Sequence, residues 1–436
     1  MRKNKVDIIT LGCSKNLVDS EQLMFQFKAN GYTVSHDPDK VNGEIVVVNT
    51  CGFIGDAQEE SVQMILELEE AKRKGQIGKL FVMGCLSERF MKELKQEITG
   101  VDRYYGKFDW KNLIDDLGNS YHTNPPDERI LTTPPHYAYL KIAEGCNRNC
   151  SFCSIPLITG KYKSRPMDEI VSEARLLVAK GVKELQVIAQ DLTYYGLDLY
   201  KNAFLPELVQ RLSDVKGVEW IRLHYAYPAH FPYDLLRVIR ERENVCNYLD
   251  IALQHISDRM LKKMRRRVTR KETYDLINVV RREVPDIHIR TTLMVGHPGE
   301  KEDDFNELVD FIEEIRFERL GVFAYSHETG TYSYANYQDE IPDELKQQRL
   351  DTIMRIQQSI SLQINEKKIG KTFKTIIDRK EGDFYVGRTE FESPEIDPET
   401  LIKSDKRMQI GAFYNVMIEK ADVYELYGKT PVFLSK

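Results

Sequence analysis

Residues 144–153 read EGCNRNCSFC, a C-x3-C-x2-C loop directly after the strand-like run of residues 137–142. Gly145, Asn147, Arg148 and Asn149 give the stretch a turn character, so Cys146, Cys150 and Cys153 are not three ordinary core thiols. Clustered thiolates select zinc or iron–sulfur clusters, and both normally take four ligands. Three in one loop leave a coordination position open, and an open position implies chemistry. A structural zinc would need a fourth Cys or His close by, and no His lies between Cys146 and Cys153.

Downstream of this loop, apolar strand-like runs recur at residues 184–189, 218–225, 248–253, 288–295 and 320–325. Helix-period segments such as PMDEIVSEARLLVAKG and EKEDDFNELVDFIEEI lie between them. With residues 137–142 counted first, six strand–helix alternations predict a parallel sheet wound into a partial (β/α)6 barrel. Ligands of such sheets gather at the C-terminal strand ends, where the cysteine loop falls. The same rim takes Gln190 and Asp191, Gln254 and His255, and residues 296–300 (GHPGE). Of these, Gln190 and His255 are candidate cofactor contacts. Arg290, inside the fifth strand, is a third, because a buried arginine needs a partner and a cofactor carboxylate would supply one.

The chain has 436 residues, 42% hydrophobic and 30% charged, with a net charge of −6. That is enough for about three domains and gives no global attraction to nucleic acid. The N-terminus MRKNKVDIITLGCSKN enters a strand pattern at once, and no run approaches a membrane span, so a cytoplasmic protein without membrane association is expected. Seven cysteines in a reducing compartment point to metal ligands or catalysts rather than disulfides.

The C-x3-C-x2-C loop after a first strand resembles the radical S-adenosylmethionine (SAM) superfamily. The resemblance implies a four-iron four-sulfur cluster on the three thiolates, with SAM on its open iron. Reductive cleavage of SAM then yields a 5′-deoxyadenosyl radical.

In the first 120 residues, KVDIITLG, GEIVVVNT and KLFVMG are β-branched runs, each followed by a helical segment. They predict a small parallel α/β domain. Cys13, Cys51 and Cys85 fall near the C-terminal ends of these three strands, the edge where α/β sheets bind ligands. Three thiols remote in sequence thus converge, and a second three-thiolate cluster is expected; Cys246 has no such position and reads as a small hydrophobe.

Two such trios in this order resemble the methylthiotransferases, with an N-terminal domain (1–122), a radical SAM core (132–363) and a C-terminal TRAM-like barrel (366–436). The resemblance implies two 4Fe-4S clusters, two SAM molecules, sulfide or polysulfide on the auxiliary cluster, and an electron donor such as flavodoxin or ferredoxin. LGCSKNLVDSE, YLDIALQHISDRMLKKMRR and GRTEFESPEID are similar to the RimO-type branch, which modifies the β-carbon of an aspartate in small-subunit ribosomal protein S twelve. A tRNA isopentenyladenosine methylthiotransferase is the alternative, and a zinc-containing ribosome- or RNA-associated binding protein is the non-enzymatic one. Thr159, Lys163 and His297 depart from the family pattern, which puts the loop after Cys153 in question.

Over residues 366–436 the helix rhythm gives way to short alternating runs, a small antiparallel β-barrel. This portion has 13 Lys plus Arg and 13 Asp plus Glu, and residues 390–399 (EFESPEIDPE) carry five acids. Binders of phosphate backbones show a basic excess, so a basic protein partner fits the barrel better. KKMRRR at 262–267 reads as a solvated helix end, and residues 339–370 as a connecting helix.

Overall fold

The computed structural model describes residues 1–122 and 128–430; the last residues of the expected C-terminal domain, 431–436, lie outside the described residues. The N-terminal part alternates β1 (Arg2–Thr10), α1 (Ser14–Ala29), β2 (Thr33–His36), β3 (Gly43–Thr50), α2 (Gly55–Arg73), β4 (Lys79–Gly84), α3 (Cys85–Glu97), β5 (Arg103–Tyr104) and α4 (Trp110–Asp116). Its sheet is wholly parallel, in the order β2-β1-β3-β4-β5. Near-continuous burial of residues 45–50 follows from helices covering both faces. The three cysteine-bearing strands β1, β3 and β4 are sheet neighbours.

The central part comprises β6 (Tyr137–Lys141), β7 (Ala143–Glu144), α5 (Ile155–Thr159), β8 (Lys163–Ser164), α6 (Met167–Ala179), β9 (Glu184–Ile188), α7 (Leu205–Ser213), β10 (Trp220–Ala226), α8 (Asp234–Glu241), β11 (Val245–Gln254), α9 (Asp258–Lys263), α10 (Arg270–Glu283), β12 (His288–Val295), α11 (Glu302–Ile315), β13 (Arg319–Ala324) and α12 (Tyr332–Asn336). Six parallel strands run in the order β13-β12-β11-β10-β9-β6, with β7 and β8 forming a separate pair. Leu140, Val187, Leu223, Ile251 and Leu293 face the helices and share one core with Leu177, Leu208, Ile239, Ile277 and Phe311. The inner face is polar instead, carrying Gln186, Arg222, His224, Asp250 and Arg290. Long helix α13 (Asp343–Glu366) connects this part to the C-terminal barrel.

That barrel closes β14 (Thr372–Glu381), β15 (Phe384–Thr389), β16 (Glu399–Lys403), β17 (Phe413–Ala421) and β18 (Glu425–Lys429) in the order β14-β15-β16-β18-β17. An odd-stranded ring cannot alternate direction all the way round. The expected antiparallel barrel accordingly contains one parallel pair, β16 with β18.

The acidic stretch 390–399 is corrected more deeply. Rather than presenting acids to a partner, most of it turns inward and plugs the N-terminal end of the six-stranded sheet. Arg290 pairs with Asp397 at 2.6 Å, Arg319 and Lys368 with Glu392 at 3.3 and 3.0 Å, and the Tyr137 and Tyr248 hydroxyls donate to Glu395 and Asp397, both at 2.9 Å. Alongside, Glu184 on β9 sits between Arg222 at 2.9 Å and Arg388 at 2.8 Å, and Arg388 also pairs with Asp378 at 2.7 Å. The core arginines on the inner face required counter-ions, and this loop supplies them. Cys246 packs nearby with Trp220, Tyr248 and Ile376.

Candidate functional site

Each cysteine is a free thiol. Cys13 lies at the start of α1, Cys51 directly after β3 and Cys85 directly after β4. One residue gathers these ends: Asn16 Nδ2 donates to the Leu11 and Thr50 carbonyls, both at 3.0 Å, while its Oδ1 accepts from the Cys85 thiol at 3.4 Å and from Lys107 Nζ at 3.3 Å. Gly12 is required by close approach. Its φ is +89°, and a Cβ there would stand 2.8 Å from Cys51 Sγ.

The charges around the trio are arranged for anionic sulfur. Burial would raise Cys13, but Lys15 and Lys107, helped by the backbone N–H groups of Asn16 and Lys15, hold it below the ordinary thiol value. Burial dominates at the others and pushes Cys85 up to about 12. Such thiols give up their protons when a cation arrives to replace them.

The second trio sits on the loop between β7 and α5. Gly145, at φ +79°, turns this loop where a Cβ would strike the Lys161 carbonyl. Burial raises Cys146 to about 11 and raises Cys153 as well. Arg266 Nη1 lies 3.2 Å from Cys150 Sγ, a guanidinium placed to neutralise a thiolate. Arg148 braces the loop through Asp191 at 2.7 Å. His297 lies beneath it, with Nε2 3.3 Å from Ser151 Oγ and 3.0 Å from Ser333 Oγ. Its Nδ1 faces the Pro298 carbonyl, which can only accept, so Nδ1 carries the proton; burial holds the ring neutral, with a pKa of about 3. His297 thus supports the cysteine loop. Thr159 bonds back to the Ile155 carbonyl within α5, and Lys163 pairs with Glu144 across the β7–β8 ladder.

The two trios face each other across the domain junction. Ser154, next to Cys153, donates to the carbonyl of Phe53, two residues beyond Cys51, at 3.0 Å. Arg89 closes the junction by bonding the Gly52 carbonyl at 3.0 Å and Glu328 at 2.8 Å. Between the trios runs a polar chain: Lys107 to Asp19 at 2.8 Å, Asp19 to Lys141, Lys141 to Glu144 at 2.8 Å, and Glu144 to Gln190. Burial opposes ionisation of Glu144, yet Lys141 and Lys107 hold it well below the usual carboxylate range.

Of the three candidate cofactor contacts, Gln190 stands at the rim, with Nε2 on Glu144 and a buried Oε1 that has no hydrogen-bond partner among the described residues. His255 is fully buried, with Nδ1 accepting from the Ile256 and Ser257 N–H groups at 2.9 and 3.1 Å; it holds the turn after β11. Arg290 reaches the inner face of the sheet, where Asp397 of the plug pairs with it at 2.6 Å. Sequence reading missed Asn16, Lys107 and Tyr225, and it took Arg266 as part of a solvated helix end, whereas that side chain is buried against Cys150. Tyr225 and Gln254, at φ 65° and 73°, are strained non-glycine residues at the C-terminal ends of β10 and β11, where such conformations mark working surfaces.

The donor set of each trio, three free thiols, is of the kind that holds an iron–sulfur cluster. Among the described residues no three His, Cys, Asp or Glu side chains gather as one ion requires. Thiolates around one zinc stand roughly 3.8 Å apart, whereas cluster ligands attach at separate corners. The unpartnered Gln190 Oε1 offers a bound cofactor an acceptor. No helix among the described residues is long and apolar enough to cross a membrane.

Residues 140–312 match the Radical SAM superfamily, residues 5–106 an uncharacterized protein family, UPF0004, and residues 369–430 the TRAM domain. The chain is 70% identical, over 98% of its length and 99% of the relative's, to the ribosomal protein uS12 methylthiotransferase RimO of Parabacteroides distasonis. It is 52% identical to that of Christiangramia forsetii, over 98% and 95%. In fold it is similar to the radical S-adenosylmethionine methyltransferase TsrM of Kitasatospora setae, with a TM-score of 0.55 at 14% identity, covering 88% of this chain and 81% of that one. Identity running the length of both chains, over a parallel core that carries the C-x3-C-x2-C loop at its C-terminal rim, shows that this enzyme belongs to the RimO family of radical SAM methylthiotransferases.

Proposed function

We propose that the enzyme attaches a methylthio group to the β-carbon of an aspartate in ribosomal protein uS12. The observation that carries this reading is the contact that joins the two domains beside Cys51 and Cys153; the activity for which the full-length relatives are named supports the substrate. When bound, a 4Fe-4S cluster and SAM at Cys146, Cys150 and Cys153 supply an electron and the means to abstract hydrogen from an unreactive carbon, while a second cluster at Cys13, Cys51 and Cys85 supplies sulfide or polysulfide.

The chain's own part is positioning and charge. His297 and Asp191 fix the cysteine loop, and Arg266 stabilises negative charge at Cys150. Asn16 fixes the three auxiliary thiols relative to one another. Lys107, Asp19, Lys141 and Glu144 form a neutralised wall between them, so neither trio faces bulk charge. Two SAM molecules serve each product, one as methyl donor, and a flavodoxin or ferredoxin delivers the electron. A ribosomal substrate places the work in the cytoplasm.

Mass spectrometry of uS12 from a strain lacking this protein should show the aspartate unmodified, with the methylthio group restored by re-expression. An unchanged uS12 mass together with lost tRNA thiomethylation would transfer the reading to isopentenyladenosine. Replacing Arg266 by Met should make the Cys146/Cys150/Cys153 cluster harder to reduce, by tens of millivolts on the order expected for a lost charge contact to a ligand sulfur. Potentiometric titration followed by electron paramagnetic resonance reads this directly. An unmoved potential would show that the guanidinium has a packing role alone.

A further inference from the structure

The buried lysines among the described residues are Lys5, Lys15, Lys107, Lys346 and Lys368. Lys5 pairs with Asp7 at 2.7 Å, Lys107 with Asp19 at 2.8 Å, Lys346 with Asp339 and Asp343 at 2.9 Å, and Lys368 with Glu392 at 3.0 Å. Lys15 differs: among the described residues it has neither a hydrogen bond nor an ion pair at its ammonium. Its contact is the face of Tyr225, with Nζ 3.6 Å from the ring centroid. A buried cation is costly without a counter-ion, and one aromatic face offsets part of that cost. The acidic groups that act on it are Tyr225, Cys13 and Glu144; Glu144 is paired with Lys141, and none of the three makes a hydrogen bond or ion pair with the ammonium, which leaves it room for an anion.

Its position says which anion. Lys15 lies on the N-terminal domain two residues from Cys13, and Tyr225 lies on the core at the C-terminal end of β10. The ring is held there by a left-handed backbone at φ 65°, and its N–H donates to Asp250 at 3.3 Å. The ammonium thus stands at the junction beside the auxiliary trio. The neighbouring cations Lys107 and Lys141 are already neutralised by Asp19 and Glu144.

We propose that Lys15, backed by the Tyr225 ring, binds the side-chain carboxylate of the substrate and selects aspartate over uncharged residues. The proposal rests on the substrate reading above. The β-carbon that exchanges hydrogen for sulfur is bonded directly to this carboxylate. Gripping the carboxylate at Lys15 presents that carbon to the Cys13 side of the junction.

The test compares anaerobically reconstituted full-length enzyme and its K15Q and K15R variants, using purified uS12 and uS12 with the target aspartate changed to asparagine. Wild-type enzyme should bind the aspartate form about tenfold or more tightly, the scale of a charged hydrogen bond. K15Q should lose that preference by weakening the aspartate form alone, and K15R should restore part of it. Equal weakening of both forms by K15Q would overturn the proposal, as would weakened equilibrium binding of SAM with the aspartate preference intact. Wild-type enzyme that leaves uS12 unmodified would instead sink the substrate reading, and the proposal with it.

Discussion

Changing Cys13, Cys51 and Cys85 together to alanine should lower the iron of the anaerobically reconstituted protein from about eight to about four per chain, the outcome expected from the proposal that each trio takes its own four-iron cluster. Methylthiolation of uS12 should fall to background, while cleavage of SAM by the remaining trio continues. The separation is expected because the trios lie on different domains, Cys13, Cys51 and Cys85 on the N-terminal sheet and Cys146, Cys150 and Cys153 on the loop between β7 and α5. Sulfur insertion surviving in the triple variant would remove the auxiliary trio from the mechanism. Tightly bound zinc with no iron uptake by the unaltered protein would restore the zinc-protein reading.

The second large effect concerns stability. Arg388, on the C-terminal barrel, joins Glu184 of the core to Asp378, and all three are buried or nearly so. Arg388→Met should cost about 3–5 kcal/mol, because it strands a carboxylate in the interior. Burial alone would raise the carboxyls of this interface. Arg388 and Arg222 nevertheless hold Glu184 low, while Arg388 with His136 holds Asp378 at about 2, and Lys368 with Arg319 holds Glu392 at about 2. Their folded values lie below the unfolded ones near 4. Their stabilisation is therefore complete above about pH 5 and is lost as the pH falls from about 4 toward 2. Trp220 packs edge-on against Phe413 of the barrel at 4.8 Å, so its fluorescence reports the interface once the second tryptophan, Trp110, is changed to Phe. Acid release of this signal at the same pH in wild type and Arg388→Met would refute the charge account, and so would a urea midpoint that the substitution leaves in place.

Local pattern carried much of this architecture. Strand ends are visible where a β-branched run gives way to glycine, so the pattern alone places Cys13, Cys51 and Cys85 on one sheet edge. The cysteine loop announced an open ligand position by its count. What stayed hidden were pairings between distant residues. Arg290 called for a counter-ion, but its partner stands 107 residues later, in a loop whose acidity looks like solvent exposure when read alone. His255 and Gln190 both follow strands, yet one turns into the loop backbone and the other toward the junction, a difference of side-chain direction that spacing does not encode. His297 stood out as a departure from the family pattern, and its aromatic and hydroxyl neighbours, which come from three separate segments, make it a prop.

The plug has one more consequence. With residues 390–397 bonded across the lower ends of the strands, the core is a well with a closed floor. On the proposed function, a segment of uS12 is expected to approach from the opposite rim, where the cysteine loop lies, and sulfur for the next turnover is expected to enter by the same side, so that recharging would compete with substrate occupancy.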